Sequence, residues 1–198
     1  MNRPPKMPKV LGPLSSIIEV DGGRGFIVER QKNRFVLTAA HCLPHLPPCS
    51  LMSHGQERTY KHLLGVIGQH AKVWAQCLFA DPVSDIAILG SPDYQTFFEQ
   101  SDQWKTFIQA LKPIPIRRPR LGETIYMLSL RGEFVSGVIH SVNEQFLNIE
   151  STGDLIQPGM SGSPILNEDG HAVSLCSVND SQRECAALNL QNCLPFWF

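Results

Sequence analysis

Short apolar runs separated by turn-forming residues most limit what this 198-residue chain can fold into. Runs of this length, bounded by Gly, Asp and Asn, are typical of antiparallel β-sheet. The predicted strands are residues 15–20, 25–29, 34–39, 70–80, 86–89, 123–130, 134–142, 146–151, 164–167 and 172–177. Glu168-Asp169-Gly170 separates the last two runs and indicates a hairpin. The pattern therefore predicts an all-β protein.

One segment between the two β-rich halves has helical periodicity instead. Trp104, Phe107, Ile108 and Leu111 fall on one face of a predicted helix, and Pro113 ends it. We interpret this aromatic stripe as a packing surface rather than a cofactor pocket. The arrangement predicts two small barrels with a functional cleft between them. The expected division is a 1–14 extension, a first barrel over 15–96, a helical linker over 97–115, and a second barrel with a C-terminal segment over 116–198.

Charge and hydropathy exclude several classes of function. A formal net charge of −1 argues against a protein that tracks phosphates, and the cluster at Arg117, Arg118 and Arg120 is better explained by a solvated loop. No run approaches the roughly 20 apolar residues needed to span a bilayer. Gly12 and Pro13 interrupt the only candidate for an export signal. We therefore expect a cytoplasmic protein that binds neither nucleic acid nor membrane.

The absence of an export signal also favours reduced thiols among the six cysteines. The pairing pattern cannot be chosen from the sequence. If any disulfide forms, Cys185 and Cys193 are the first pair to test.

Three short segments carry residues with catalytic chemistry. They are Thr-Ala-Ala-His-Cys, which ends at residue 42; Asp-Pro-Val-Ser-Asp-Ile-Ala-Ile-Leu, which ends at residue 89; and Pro-Gly-Met-Ser-Gly-Ser-Pro, which ends at residue 164. Taken singly, each segment fits a structural role, since such residues commonly cap turns or form loops.

Taken together, the three segments resemble the trypsin-like (chymotrypsin-fold) serine proteases. The similarity lies in residue type, in the chain order His41, Asp85, Ser161, and in their separations of 44 and 76 residues. The similarity extends from about residue 15 to residue 179, and the sequences of the motifs are closest to those of bacterial, viral and HtrA-type members. The resemblance implies two six-stranded antiparallel β-barrels, with the histidine and aspartate in the first and the serine in the second.

The resemblance also implies a role for each residue. His41 would take the proton of the Ser161 hydroxyl, and Asp85 would hold the imidazole in the required tautomer. Main-chain N–H groups of Gly159 and Ser161 would form the oxyanion hole. Asp81 is the competing acid, but Asp85 begins the apolar run that follows the acid in this family.

A hydrophobic substrate pocket is a further implication. Its floor would be Leu155, and its walls would be Ile156 and the segment Ser177, Val178 and Asn179. Because an apolar floor cannot compensate a buried cation, we expect cleavage after small or medium apolar residues.

Two departures from the digestive members have consequences. Digestive trypsins carry an aspartate directly before the nucleophile, where it pairs with a newly cut N-terminus; this chain has Met160. We therefore expect activity without N-terminal cleavage. Cys42 adjoins the histidine as it does in secreted relatives, but residues 1–41 contain no cysteine that could pair with it.

Other interpretations remain open from the sequence. Cys42, His45, Cys49 and His54 have ligand-like residue types, but their spacing matches no common zinc pattern, so we expect neither metal nor cofactor. A catalytically silent binding module would use the same fold, although such relatives usually lose a triad member. An esterase could use the same machinery. The expected partners are a protein or peptide substrate and a regulatory protein that restrains activity.

Overall fold

A computed structural model describes residues 16–48, 55–151, 157–179 and 184–198. Within them the chain forms two closed barrels of six strands each. The first barrel contains β1 (Ile17–Val20), β2 (Gly23–Arg30), β3 (Asn33–Thr38), β4 (Thr59–Val66), β5 (Val73–Asp81) and β6 (Ile86–Gly90). The second contains β7 (Thr124–Leu128), β8 (Phe134–Val142), β9 (Phe146–Ser151), β10 (Pro164–Asn167), β11 (Ala172–Asn179) and β12 (Glu184–Asn189).

All neighbouring strands within each barrel are antiparallel. The first barrel has the order β1-β2-β3-β6-β5-β4 and closes where β4 pairs with β1. The second has the order β10-β11-β12-β9-β8-β7 and closes where β7 pairs with β10. The predicted fold class is therefore confirmed, whereas the exact domain boundaries stay a prediction.

A helix, α1 (Phe98–Gln109), connects the barrels. Trp104, Ile108 and Leu111 from the predicted stripe are buried against the first barrel. Arg34 of β3 fixes the end of this helix, because its Nη1 donates to the carbonyls of Ile108 and Leu111, each at 3.0 Å. The stripe is a packing surface, as the sequence predicts.

The larger of the two apolar cores extends from one barrel into the other. It includes Phe26 and Leu37 of the first barrel together with Leu128 and Leu175 of the second. Burying apolar surface shared by both barrels stabilises their contact. The two barrels on either side of the cleft therefore pack against each other through a shared apolar core.

Two strands were not predicted from the sequence, β4 and β12. In β4 the pairing shifts between Tyr60 and Leu64, and His62 adopts a left-handed conformation with φ 53°. This bulge interrupts the alternation on which strand prediction depends. The sequence of β12, Glu-Cys-Ala-Ala-Leu-Asn, is poor in the β-branched and aromatic residues that favour strands.

Cys193 forms no disulfide with Cys185, the first partner to test if any bridge existed. Cys193 carries a free thiol, and its Sγ lies 3.8 Å from the carbonyl oxygen of Gln145 on the β8–β9 turn. The thiol therefore points toward this turn and forms no bridge. A short helix, α2 (Leu190–Cys193), places it there. None of the helices in the described part of the chain has the length and apolarity needed to cross a membrane.

Candidate active site

His41 lies in a single helical turn, Ala40–Cys42, directly after β3. The preceding strand is buried, and the turn brings the imidazole out to a half-exposed position in the cleft. The Nδ1 atom of His41 lies 2.7 Å from Oδ2 of Asp85. Since a carboxylate only accepts hydrogen bonds, Nδ1 carries the proton and Nε2 is left as the basic nitrogen.

Asp85 precedes β6 and binds the histidine turn in several ways. Its other carboxylate oxygen, Oδ1, accepts a hydrogen bond from the His41 main-chain N–H at 2.9 Å. Its carbonyl accepts another from the N–H of Ala40 at 3.2 Å. Asp85 adopts a left-handed conformation with φ 52°, which Asp tolerates better than most residues. The side chain and main chain of Asp85 together fix the position of His41.

Asp81, the competing acid, has a different role. Its Oδ1 accepts a hydrogen bond from the N–H of Val83 at 2.9 Å, two residues ahead in the same turn. This is the usual local bonding of an aspartate in a turn. Asp85, and not Asp81, contacts the histidine.

Ser161 occupies a tight loop before β10, where Gly159 and Gly162 have φ values of 92° and 82°. Its carbonyl oxygen accepts a hydrogen bond from the N–H of Arg24 at 2.7 Å, so the first barrel holds the loop of the second. A Cβ atom on Gly162 would lie 1.8 Å from the carbonyl oxygen of Arg24. Only glycine allows the main chains to approach this closely.

The thiol of Cys42 also packs against this loop. Its Sγ lies 3.7 Å from the carbonyl oxygen of Ser161, and a Cβ atom on Gly23 would lie 2.2 Å from the same sulfur. The thiol is free, in agreement with the lack of an upstream cysteine. Gly23 faces Cys42 and leaves room for the sulfur.

A cleft of about 590 Å³ brings the predicted residues together. His41, Asp85, Gly159 and Ser161 all line it, as does the main chain around Gly23. The histidine and aspartate come from the first barrel, and the glycine and serine come from the second. The fold thus places an acid, an imidazole and a hydroxyl along one surface.

Ser177 of β11 also lines the cleft, and its contact was not predicted from the sequence. Its Oγ donates a 2.5 Å hydrogen bond to Oδ2 of Asp85, the oxygen that also binds His41. The sequence assigned Ser177 to the substrate pocket; nothing in the sequence indicates a bond between residues so far apart along the chain.

The other predicted pocket residues are described only in part. Leu155 and Ile156 lie outside the described residues. The main chains of Val178 and Asn179 belong to β11 and pair with β12. These four residues remain predicted members of the substrate pocket.

Hydrogen bonding shifts the pKa values of His41 and Asp85 in opposite directions. The bond to Asp85, followed by the contact with Cys42, raises the pKa of His41 above its ordinary value. Burial alone would raise the pKa of Asp85, but the hydrogen bonds from His41 and Ser177 hold it below its usual range. The pair therefore favours an ionised carboxylate beside an imidazole that readily takes a proton.

The alternative metal ligands are only partly described. Cys49 and His54 lie outside the described residues. The ring of His45 packs against Tyr60, with the ring centres 5.0 Å apart. No group of three or more metal-ligating side chains occurs in residues 16–48, 55–151, 157–179 and 184–198.

Comparison with known proteins agrees with this architecture. A crystal structure of Rv3671c protease in an inactive form is similar over 96% of this chain and 95% of that chain, with a TM-score of 0.57 and 14% sequence identity. At this identity the similarity establishes the fold alone. No curated protein sequence matches the chain. The family model described as a trypsin-like peptidase domain matches residues 23–175, so the chain belongs to the trypsin-like peptidase domain family.

Proposed function

We propose that the protein is a serine endopeptidase that cleaves protein substrates through an acyl-enzyme, with His41, Asp85 and Ser161 as its catalytic triad. The observation that carries the proposal is the 2.7 Å hydrogen bond between His41 Nδ1 and Asp85 Oδ2, in a cleft that Ser161 also lines. This bond leaves Nε2 of the imidazole to accept a proton, as a general base must.

The reaction would proceed in two halves. In the first, Ser161 Oγ attacks the scissile carbonyl carbon while His41 Nε2 takes the hydroxyl proton. The proton then passes to the leaving amine as the peptide C–N bond breaks, which leaves an ester on Ser161. In the second half, water gives a proton to His41 Nε2 and attacks the ester carbon. The C–O bond to Ser161 then breaks, His41 returns the proton to Ser161 Oγ, and the acid product leaves.

The loop that carries Ser161, residues 158–164, is called the nucleophile loop, and it would stabilise the oxyanion formed in each half. The N–H groups of Gly159 and Ser161 are the proposed donors, and the left-handed conformation at Gly159 supports this role because it allows the sharp turn between them. Losing one such donor typically costs about 10²–10³ in turnover.

A fluorophosphonate probe tests the proposal directly. The wild-type protein should be labelled on Ser161, and Ser161→Ala should abolish labelling. Ser163→Ala is the matched control: Ser163 lies in the same loop, and its buried hydroxyl has no hydrogen-bond partner in the described part of the chain. This control should label normally. A folded wild-type protein that is not labelled would instead favour the silent binding module.

The same experiment tests for activity without N-terminal cleavage. Met160 occupies the position before the nucleophile, and its side chain is fully buried. An apolar side chain cannot pair with a new N-terminal amine, so no switch of the digestive type can act through it. The intact mass of the labelled protein should equal that of the uncut chain plus the probe, less the HF that is lost when the serine oxygen displaces fluoride.

Specificity forms a separate part of the proposal. The predicted apolar floor at Leu155 favours small or medium apolar residues before the scissile bond. In a peptide library, wild-type protein should cut after such residues, and Ser161→Ala should cut none. Cleavage mainly after Arg or Lys would contradict the proposed pocket. The same comparison in cells, by profiling new N-termini, would identify the natural substrate.

A further inference from the structure

Arg24 of β2 is a buried cation at the boundary between the barrels; the residue is only 5% exposed. Its Nη1 donates to the carbonyl oxygen of Leu128 at 2.6 Å, and its Nη2 donates to that of Ser129 at 3.1 Å. Leu128 is the last residue of β7 in the second barrel, and Ser129 directly follows it. A buried guanidinium needs such partners, because an unsatisfied charge in the interior is costly.

The main chain of the same residue holds the nucleophile loop. The N–H of Arg24 donates to the carbonyl oxygen of Ser161 at 2.7 Å, and the carbonyl of Arg24 packs directly against Gly162. The hydroxyl of Thr38 donates to that carbonyl at 2.7 Å. Arg24 therefore binds the second barrel twice, once through its side chain and once through its backbone.

The side-chain contact of Arg24 also leads to Gly159 of the nucleophile loop. Ser129 is followed by Leu130, whose Cδ2 would lie 3.8 Å from a Cβ atom on Gly159. The carbonyl oxygen of Gly22 would lie 3.7 Å from the same point. The turn that Arg24 anchors thus contributes one of the near neighbours of Gly159.

We propose that Arg24 is a positioning residue for acylation, a role that rests on the proposed function. Its guanidinium fixes the end of β7 relative to β2, and β2 in turn holds the Ser161 carbonyl. Because the histidine and the serine come from different barrels, a small slip at this boundary would separate them. A misplacement of about 1 Å can cost on the order of 10²-fold in rate.

Arg34 provides a matched control. It is also an arginine in the first barrel that donates to main-chain carbonyls, but those carbonyls belong to Ile108 and Leu111 at the end of α1. Arg34→Gln removes contacts of the same chemistry in the same barrel, together with the 3.1 Å ion pair between Arg34 and Glu29, at a residue that is not among those lining the cleft.

The test compares Arg24→Gln, Arg24→Lys and Arg34→Gln in the full chain, at a temperature where thermal unfolding shows each to be folded. With a small fluorophosphonate probe, Arg24→Gln should label about 10- to 100-fold more slowly than wild type. Arg24→Lys should be intermediate, because an ammonium cannot reproduce the two-pronged guanidinium contact. Arg34→Gln should stay within about twofold of wild type even if its melting temperature falls. With peptide substrates, kcat should fall while KM changes little.

A second readout does not depend on activity. The amide proton of Arg24 bonds across the boundary to the Ser161 carbonyl, and in Arg24→Lys this amide should exchange with solvent about tenfold faster than in wild type. Amides of β3 in the same sample should be unchanged. If wild type is never labelled, the proposed function fails and exchange alone decides the role of Arg24. Wild-type labelling rates in both Arg24 variants, or unchanged exchange in Arg24→Lys, would overturn the inference.

Discussion

Asp85 accepts hydrogen bonds from three residues, and this concentration of contacts determines the chemistry of the cleft. Its carboxylate binds the His41 ring and main chain and the Ser177 hydroxyl, and its carbonyl binds Ala40. Such bonding favours the ionised form of an acid. An acid that stays ionised keeps its neighbouring imidazole in one tautomer and stabilises the imidazolium.

The raised pKa of His41 predicts how activity depends on pH. Below that pKa the imidazole is protonated and cannot accept the Ser161 proton, so labelling should be lost as pH falls. The midpoint should lie above about 6.5, the ordinary value for histidine. Fluorophosphonate labelling rates measured across the pH range check this. Asp85→Asn should lower the rate and return the midpoint toward the ordinary value; a wild-type midpoint at or below it would contradict the assignment.

The raised pKa of His41 also makes the stability of the fold depend on pH, in the opposite direction from activity. A histidine whose pKa is raised on folding stabilises the folded state fully below its unfolded pKa, and the contribution is lost as pH rises through the folded pKa. The His41–Asp85 pair therefore stabilises the fold most in the pH range where the neutral imidazole, which the proposed reaction needs, is least populated.

At the scale of the element, hairpins were predictable and distant contacts were not. The turns around Asp21-Gly22 and Glu168-Asp169-Gly170 connect paired strands as their residue types indicate. The strand β4 was missed because its bulge breaks the pattern at His62. His41, Asp85 and Ser161, the three residues that the sequence motifs single out, all line the cleft. The motifs could not indicate that Ser177 would bond to Asp85, since that contact depends on how two barrels pack.

The nucleophile loop leads to a prediction about two glycines. Gly162 and Gly122 both adopt left-handed conformations, with φ values of 82° and 75°. A Cβ atom on Gly122 would meet nothing within 4 Å, whereas one on Gly162 would collide with Arg24 and Thr38. Gly122→Ala should cost about 1–2 kcal/mol from backbone strain and leave labelling intact. Gly162→Ala should cost at least about 3 kcal/mol and abolish labelling, because β2 must move away.

Chemical denaturation and labelling of the two variants together check this prediction. If Gly162→Ala were no less stable than Gly122→Ala and reacted at the wild-type rate, the close approach of β2 to the loop would be ruled out.

On the scale of the whole molecule, residues from both barrels line the cleft. The second barrel supplies a hydroxyl to the acid of the first, and the first supplies an N–H to the nucleophile loop of the second. An apolar core shared by both barrels supports these contacts. Relative movement of the barrels is therefore coupled to the geometry of the site.

Ser177 provides a test of this coupling. Ser177→Ala removes one of the donors to Asp85 and leaves more of the carboxylate's charge to His41, so the pKa of His41 should rise further. We expect the pH at which the labelling rate falls to half on the acid side to rise by roughly half a pH unit. Ser174→Ala is the control, because Ser174 lies on the same strand but donates to Leu188 at 2.7 Å within the second barrel. If the labelling rate of Ser177→Ala depended on pH in the same way as the rates of Ser174→Ala and wild type, the coupling would be contradicted.

The bond between Ser177 and Asp85 joins residues 92 positions apart. A nascent polypeptide would complete its first half on the ribosome while the partner hydroxyl was still untranslated. The hydrogen bond between Ser177 and Asp85 could then form only after β11 of the second barrel had been synthesised.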